Sequence, residues 1–221
     1  MVFINSEYKI KKITRNEAKP FIMNLHYAKR MPSVSYAFGL FETDVLIGVL
    51  TIGKPASHQL CIGICGKGEH QNVYELNRLI VSKELPKNTL SFFVGGVMRM
   101  LAGSELILVS YADEGMGHHG YIYQATNWWY TGKTPERTDK YTPKGRHSRH
   151  YDDTMPHLRK VRTSKHRYVY VPSKRKRKQI KEIINYPIHE EYPKGDNEYY
   201  ELGDRMKTEI INRKTGEVFY E

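Results

Sequence analysis

The sequence predicts an α/β fold with a mixed, mostly antiparallel central sheet, flanking helices and one parallel strand–helix–strand crossover. Three features predict it. Two strand-like runs flank a polar Glu42-Thr43-Asp44 turn in SYAFGLFETDVLIGVLTIG, which reads as a hairpin. The stretch from Tyr74 to Ser110 runs strand, turn, helix, strand; such a crossover is right-handed and leaves its strands side by side and parallel. A hydrophobic fraction of 39% over 221 residues supports one packed core with an extension.

The elements follow in order. Thr14-Arg15-Asn16-Glu17 has the form of a capping box, and Ala18, Phe21, Ile22 and Leu25 then fall at i, i+3, i+4 and i+7. That is a first amphipathic helix ending near His26-Tyr27. After the hairpin, YELNRLIVS is a strand. Pro86-Lys87-Asn88-Thr89 breaks the chain, and Leu90, Phe93, Val94, Val97, Met98 and Leu101 keep helical spacing, with Asn88 or Thr89 as the cap. ELILVS is the next strand, GYIYQATNWWY a short helix and HRYVYV a final strand. LCIGICG alternates like a strand. Cys61 and Cys65, with His58 and His70 nearby, are therefore not assigned to zinc, although their spacing allows it.

The net charge of +11 has one source. Residues 133–181 hold 17 Lys/Arg against 4 Asp/Glu, while the remainder holds 18 against 20. Tyr141, Tyr151, Tyr168 and Tyr170 interleave with those cations. Cations for phosphates and rings for stacking are the footprint of a nucleic-acid surface, the alternative being a solvated basic face. Arg146, Arg149, Lys160, Arg162, Lys165 and Arg167 are the candidate contacts. No apolar run approaches the roughly 20 residues of a membrane span. No secretory signal opens the chain, and two cysteines make no disulfide framework. A cytoplasmic protein is expected.

The crossover resembles that of the GNAT superfamily of acyl-CoA-dependent N-acyltransferases. In that family a strand leads through a tight turn into a helix whose exposed N–H groups hold the cofactor pyrophosphate, as the helix dipole favours. The resemblance assigns Asn88, Thr89 and Ser91, with Leu79, Val81 and Asn127, to binding acetyl-CoA or a related acyl-CoA. The family's glycine-rich loop is replaced here by ELPKNTLS. The words LHYAKR, FGLFETDVLIGVLTIG, ELNRLIV, PKNTLSFFVGG, LVSYAD and GYIYQATNWWYTG, in this order, resemble the Mom family over roughly residues 20–172. Those are phage DNA-modification proteins, GNAT-like in fold, that convert adenine to an N6-carbamoylmethyl form and protect phage DNA from restriction. The resemblance implies a nucleobase-modifying transferase acting on double-stranded DNA. Its GNAT-like catalytic domain would span residues 1–172, with 133–172 facing nucleic acid. Residues 173–221 would form a basic-then-acidic tail, partly disordered or loosely docked.

A strand after the crossover ends where ligands sit in open α/β sheets. Ser110, Tyr111 and Asp113 would project there. The exocyclic amine of adenine is a poor nucleophile, so a group must accept its proton, and Asp113 is the first candidate. The competing role for Asp113 is to fix the turn at Glu114-Gly115. His26 and Tyr27 match the family's His-Tyr word and would orient the base or polarise the cofactor. Tyr123, or Tyr121, would protonate a departing thiolate, the usual GNAT tyrosine role, and Asn127 would hold the pantetheine arm. Ile122, Ala125 and Trp129 share helical spacing, which sends Trp129 to the core and leaves Trp128 to stack an extruded base. Iron held by His26, Tyr27 and Asp113 is conceivable and has been proposed for Mom-like proteins. The alternatives are an N-acyltransferase for RNA, protein or a small amine, and a non-catalytic DNA-binding relative.

Overall fold

A computed structural model describes residues 7–142, 155–195 and 207–221. Its centre is a seven-stranded sheet of order β1-β2-β3-β4-β5-β9-β6. The strands are β1 (Tyr8–Lys12), β2 (Tyr36–Glu42), β3 (Val45–Gly53), β4 (Val73–Val81), β5 (Ile107–Asp113), β6 (Trp129–Lys133) and β9 (Lys165–Tyr170). Every neighbouring pair is antiparallel except β4 and β5. The crossover between those two carries α3 (Thr89–Met100). The predicted hairpin is β2–β3, and the expected mixed sheet with one parallel pair is the sheet found.

The helix α1 (Arg15–Pro20) starts at the predicted capping box: Glu17 N–H donates to Thr14 Oγ1 at 3.2 Å, and Thr14 N–H donates to Glu17 Oε2 at 2.7 Å. Pro20 lies inside the helical stretch and lacks a donor. The next turn, Phe21–Leu25, is π-helical and closes with His26 N–H on the Phe21 carbonyl at 3.2 Å. This helix packs on one face of the sheet, burying Ala18 and Ile22 against Ala37, Val49 and Ile80. On the same face, α2 (His58–Cys65) and α5 (Lys174–Ile183) bury Cys61, Ile64, Cys65 and Ile180 against Val73, Val109, Val169 and Val171. The opposite face holds α3 and the short α4 (Tyr121–Ala125), with Phe93, Val94, Val97 and Trp128 in the largest apolar cluster.

Three segments depart from the sequence expectation. LCIGIC lies in α2, because Cys61, Ile64 and Cys65 also satisfy helical spacing and the Ser57 hydroxyl caps Leu60 N–H. The helix GYIYQATNWWY stops at Ala125, and Asn127 at φ 62° turns the chain into β6. Trp128 and Trp129 then follow strand alternation: Trp128 is fully buried on the α3 face, while Trp129 packs on the other. Residues 174–183 are a docked helix. The buried Lys176 ammonium bonds Glu69 at 2.8 Å and Glu105 at 2.9 Å, and Ile180 enters the core.

A second, four-stranded sheet of order β11-β10-β8-β7 stands beside the first. It is built from β7 (Arg137–Lys140), β8 (Leu158–Arg162), β10 (Glu209–Asn212) and β11 (Val218–Tyr220). The far C-terminal residues thus pair with the basic segment rather than trail from it.

Ile180 decides whether α5 is structural. Ile180→Ala should cost about 2–5 kcal/mol in urea unfolding. An unchanged midpoint would mean that this helix is not part of the folded unit.

Candidate active site

The site begins where β4 and β5 part. Their parallel register holds for Val73↔Ile107, Tyr74↔Leu108 and Glu75↔Val109 and then stops. Beyond it β4 stays with β3 and β5 with β9. The register between β3 and β4 slips at the same point, from Ile52↔Leu76 to Thr51↔Arg78, so Asn77 is an extra residue in β4. Carbonyls that lose a neighbouring strand need another donor. Ser110 Oγ supplies one, to the Leu76 carbonyl at 2.8 Å. Since the serine has one proton, the Tyr123 hydroxyl 2.7 Å away donates to the serine in turn.

On the α3 face the gap meets Tyr123, whose phenol burial pushes up to about 12. A cleft of about 470 Å³ between α3 and α4 is lined by Asn88, Ser91, Phe92, Arg99, Asn127 and Tyr170 among others. Asn88 stands at φ 74° at the head of α3, and Ser91 Oγ donates to its carbonyl at 2.9 Å. Three predicted cofactor residues, Asn88, Ser91 and Asn127, therefore meet in one place. The others do not join them. Thr89 is fully buried with its hydroxyl on the Pro86 carbonyl, Leu79 packs into the α3-side cluster, and Val81 pairs with Gly48 on β3.

The opposite face carries the titratable groups, between the α1 cluster and the α2–α5 cluster. Glu75 is largely buried, and burial pushes its carboxyl above the ordinary value, opposed by the Arg78 and Lys165 cations. Among the described residues no hydrogen bond contributes to that balance. Glu75 also acts with burial to hold the Tyr111 phenol well above its usual range. Arg78 donates to the Arg30 carbonyl at 3.1 Å, yet its buried Nε has no partner among the described residues. His26 is 6% exposed, and its Nδ1 accepts from Ala28 N–H at 3.0 Å. Burial, then Arg78 and His118, depress it to about 3, so the ring is neutral and protonated on Nε2. Tyr27 lies against it with ring centroids 4.2 Å apart.

Asp113 is elsewhere engaged. It is 6% exposed; Oδ1 accepts from Gly115 N–H at 3.1 Å and Thr163 Oγ1 at 2.7 Å, and Oδ2 pairs with Lys165. Both oxygens are thus committed, as the turn-fixing role requires. The same contacts bear on iron. Asp113 is committed, His26 Nδ1 is taken by a backbone donor, and no group of three or more His, Cys, Asp or Glu among the described residues could hold a metal ion. The residues do not fit the metal that the family resemblance suggests.

Of the expected nucleic-acid contacts, Trp128 is sealed in the core. Arg167 is buried, bonded to Thr131 and laid 3.3 Å over the Tyr186 ring. Lys160 and Arg162 lie on β8, where Arg162 pairs with Asp139 at 2.7 Å. Arg146 and Arg149 fall outside the described residues. Trp129, assigned to the core from its spacing, is only part-buried and carries the Arg177 guanidinium 4.3 Å over its ring. Sequence reading missed Glu75 and Arg78. Their signal was present: the start of a parallel strand is usually apolar on both faces, and charges there stand out.

A model of the Mom protein family matches residues 7–194. The chain belongs to the Mom family. It is 29% identical over 132 residues to the methylcarbamoylase Mom of Escherichia phage Mu, an alignment that covers 58% of this chain and 55% of the phage protein. It thus matches about half the length of that curated relative. Similar solved structures include an N-acetyltransferase from Staphylococcus aureus Mu50, at 12% identity and a TM-score of 0.46, over 75% of this chain and 98% of that one. Another is a putative acetyltransferase from Salmonella typhimurium solved with acetyl-CoA, at 8% identity and a TM-score of 0.48, over 76% and 95%.

The two shifted groups give opposite pH signatures. Glu75 holds its proton more tightly folded than unfolded, so its contribution is lost as pH rises above the ordinary 4.5. Glu75→Gln should therefore be more stable than wild type at pH 8, with the difference shrinking toward pH 4; a less stable variant at pH 8 would reveal a stabilising partner. His26 refuses a proton that the unfolded chain accepts, so stability is lost as pH falls from 6.5 toward about 3. Urea midpoints of His26→Gln should vary less than wild type across that window.

Proposed function

We propose that this Mom-family protein is a transferase that modifies DNA at the N6 amine of adenine, the carbamoylmethyl group being the product that the family implies and an acyl-CoA-type molecule the ligand that the α3 cleft would hold. The observation that carries the reading is the gap between β4 and β5, with a different chemistry on each side. A cleft between α3 and α4 lies on one face. A largely buried carboxylate without a hydrogen bond to settle it lies on the other.

Asn88, Ser91 and Asn127 would hold that ligand, its pyrophosphate near the N–H groups that open α3. Attack of N6 on a bound CoA thioester would break its C–S bond, release the thiolate and leave an N6-acyl amide; joining N6 to the methylene carbon of a carbamoylmethyl group requires a donor of different chemistry, such as a glycine-derived one. Tyr123 would return a proton to that thiolate, with Ser110 holding the phenol in line. On the other face Glu75 would accept the proton that N6 sheds as its new bond forms. A carboxyl whose hold on a proton burial strengthens suits that task better than one whose ionised form is fixed by donors. The unpartnered Arg78 Nε and the neutral His26 would orient the purine, and the Tyr27 ring would stack on it. The purine has to leave the duplex to reach them. Lys160 and Arg162 on the second sheet, with the basic residues between 143 and 154, would hold the phosphates, and affinity would then fall steeply with salt. Protection of the modified DNA from restriction is the biological outcome that the Mom family implies.

Mass spectrometry of nucleosides digested from DNA of expressing cells tests this directly. A new adenine-derived nucleoside should appear with the wild type and vanish with Glu75→Gln. Unmodified DNA beside acylated RNA or protein would replace the reading with that of an ordinary N-acyltransferase.

A further inference from the structure

The turn Thr163-Ser164-Lys165 joins β8 of the second sheet to β9 of the first, and the end of β5 holds all three side chains. Thr163 Oγ1 donates to Asp113 Oδ1 at 2.7 Å, the Ser164 hydroxyl donates to Glu114 Oε2, and Lys165 pairs with Asp113 Oδ2. The backbone repeats the link, with Glu114 N–H on the Ser164 carbonyl at 3.2 Å. The other oxygen of Glu114 pairs with Lys133, the last residue of β6, from which the chain continues into β7. Thr134 closes the set, donating from its N–H to the Lys165 carbonyl at 2.9 Å and accepting Lys165 N–H at 3.0 Å. Two chain connections between the sheets are thus gathered on two adjacent carboxylates. Asp113 ends, and Glu114 follows, the strand that borders the gap beside β4. Gly115 belongs to the same device: a Cβ there would come within 2.5 Å of Thr163 Cγ2.

We propose that Asp113 and Glu114 are positioning residues, a polar clamp that fixes the second sheet, and any DNA lying on it, in register with the gap between β4 and β5. The proposal rests on the DNA-modifying reading above. Carboxylates, hydroxyls and ammonium groups at one junction stabilise less than apolar packing of the same volume, because their desolvation offsets much of their attraction. What they provide is direction. A bonded carboxylate admits one arrangement of its partners, whereas an apolar contact tolerates sliding. Reactivity is sensitive to that: a displacement of about 1 Å at the reacting atoms can cost on the order of 100-fold in rate.

The test compares Thr163→Val, Glu114→Gln and Gly115→Ala with wild type on duplex oligonucleotides, none of these changes touching Glu75 or the α3 cleft. The clamp predicts that turnover falls about 10- to 100-fold while duplex affinity stays within about twofold, and that Thr163→Ser, which keeps the hydroxyl, restores turnover. Hydrogen exchange at the Thr163–Lys165 amides should quicken in Thr163→Val with or without DNA. Wild-type turnover and exchange in Thr163→Val would overturn the proposal. So would loss only in Asp113→Asn, which would make Asp113 the base, or equal losses of affinity, turnover and urea midpoint, which would make the junction a fold determinant alone. If wild type neither binds nor modifies duplex DNA, the function reading fails, and the exchange experiment still decides whether the clamp holds the sheet.

Discussion

One extra residue in β4 governs the site. An additional residue on one strand of an antiparallel pair bends that strand and re-aims the side chains that follow. Asn77 is that residue, and its side chain holds the distortion: the Thr51 hydroxyl donates to its Oδ1 at 2.7 Å, and its Nδ2 donates to the Ser33 carbonyl at 2.8 Å. Gly53 permits the approach of that loop, since a Cβ there would run into the Ser33 carbonyl. The parting of β4 from β5, the Ser110 bond to Leu76 and the gap through the sheet follow from this bend. So does the meeting of Glu75 with Arg78. In an unbroken strand, residues three apart point to opposite faces; the bulge brings these two to the same one.

That parity change explains much of what was legible in the sequence and what was not. The hairpin, the capping box, α3 and the parallel crossover follow local rules, namely turn residues, a Thr-x-x-Glu word and apolar residues at 3.6 spacing, and each stands where those rules put it. Asn88, Ser91 and Asn127, which the GNAT resemblance assigns to the cofactor, come together along one cleft. Glu75 and Arg78 were passed over because strict alternation separates them, and only the pairing with β3 reveals the slip. The two tryptophans exchanged roles for a related reason. Helical spacing was read through Asn127, where the backbone enters the left-handed region and alternation takes over. Lys176 looked like one more cation in SKRKRK; its partners, Glu69 and Glu105, are distant in sequence, and no local pattern names them.

The second sheet shows the same limit at larger scale. Its central pairing joins β8 from the basic segment to β10 near the C-terminus, in the register Ile210↔Lys160 and Ile211↔Arg159. Two chain regions that composition separates, one cationic and one rich in acids, become neighbouring strands. The acid-rich last 40 residues thus contribute a strand paired with the basic segment.

Glu75 and Asp113 show how one face of one sheet can give two carboxylates opposite uses. They sit on neighbouring strands, and both lie within reach of Lys165. Asp113 has a hydroxyl, a backbone N–H and an ammonium on its two oxygens, which satisfies a buried carboxylate and immobilises it. Glu75 has cations nearby but no donor among the described residues, so burial governs it and its proton is held more firmly. A fold gains nothing from such a group, because an apolar residue in its place would avoid the desolvation. Its position at the last rung before the strands divide, with an Arg78 nitrogen that has no partner among the described residues in the same polar strip, is what the proposed role of proton acceptor would require.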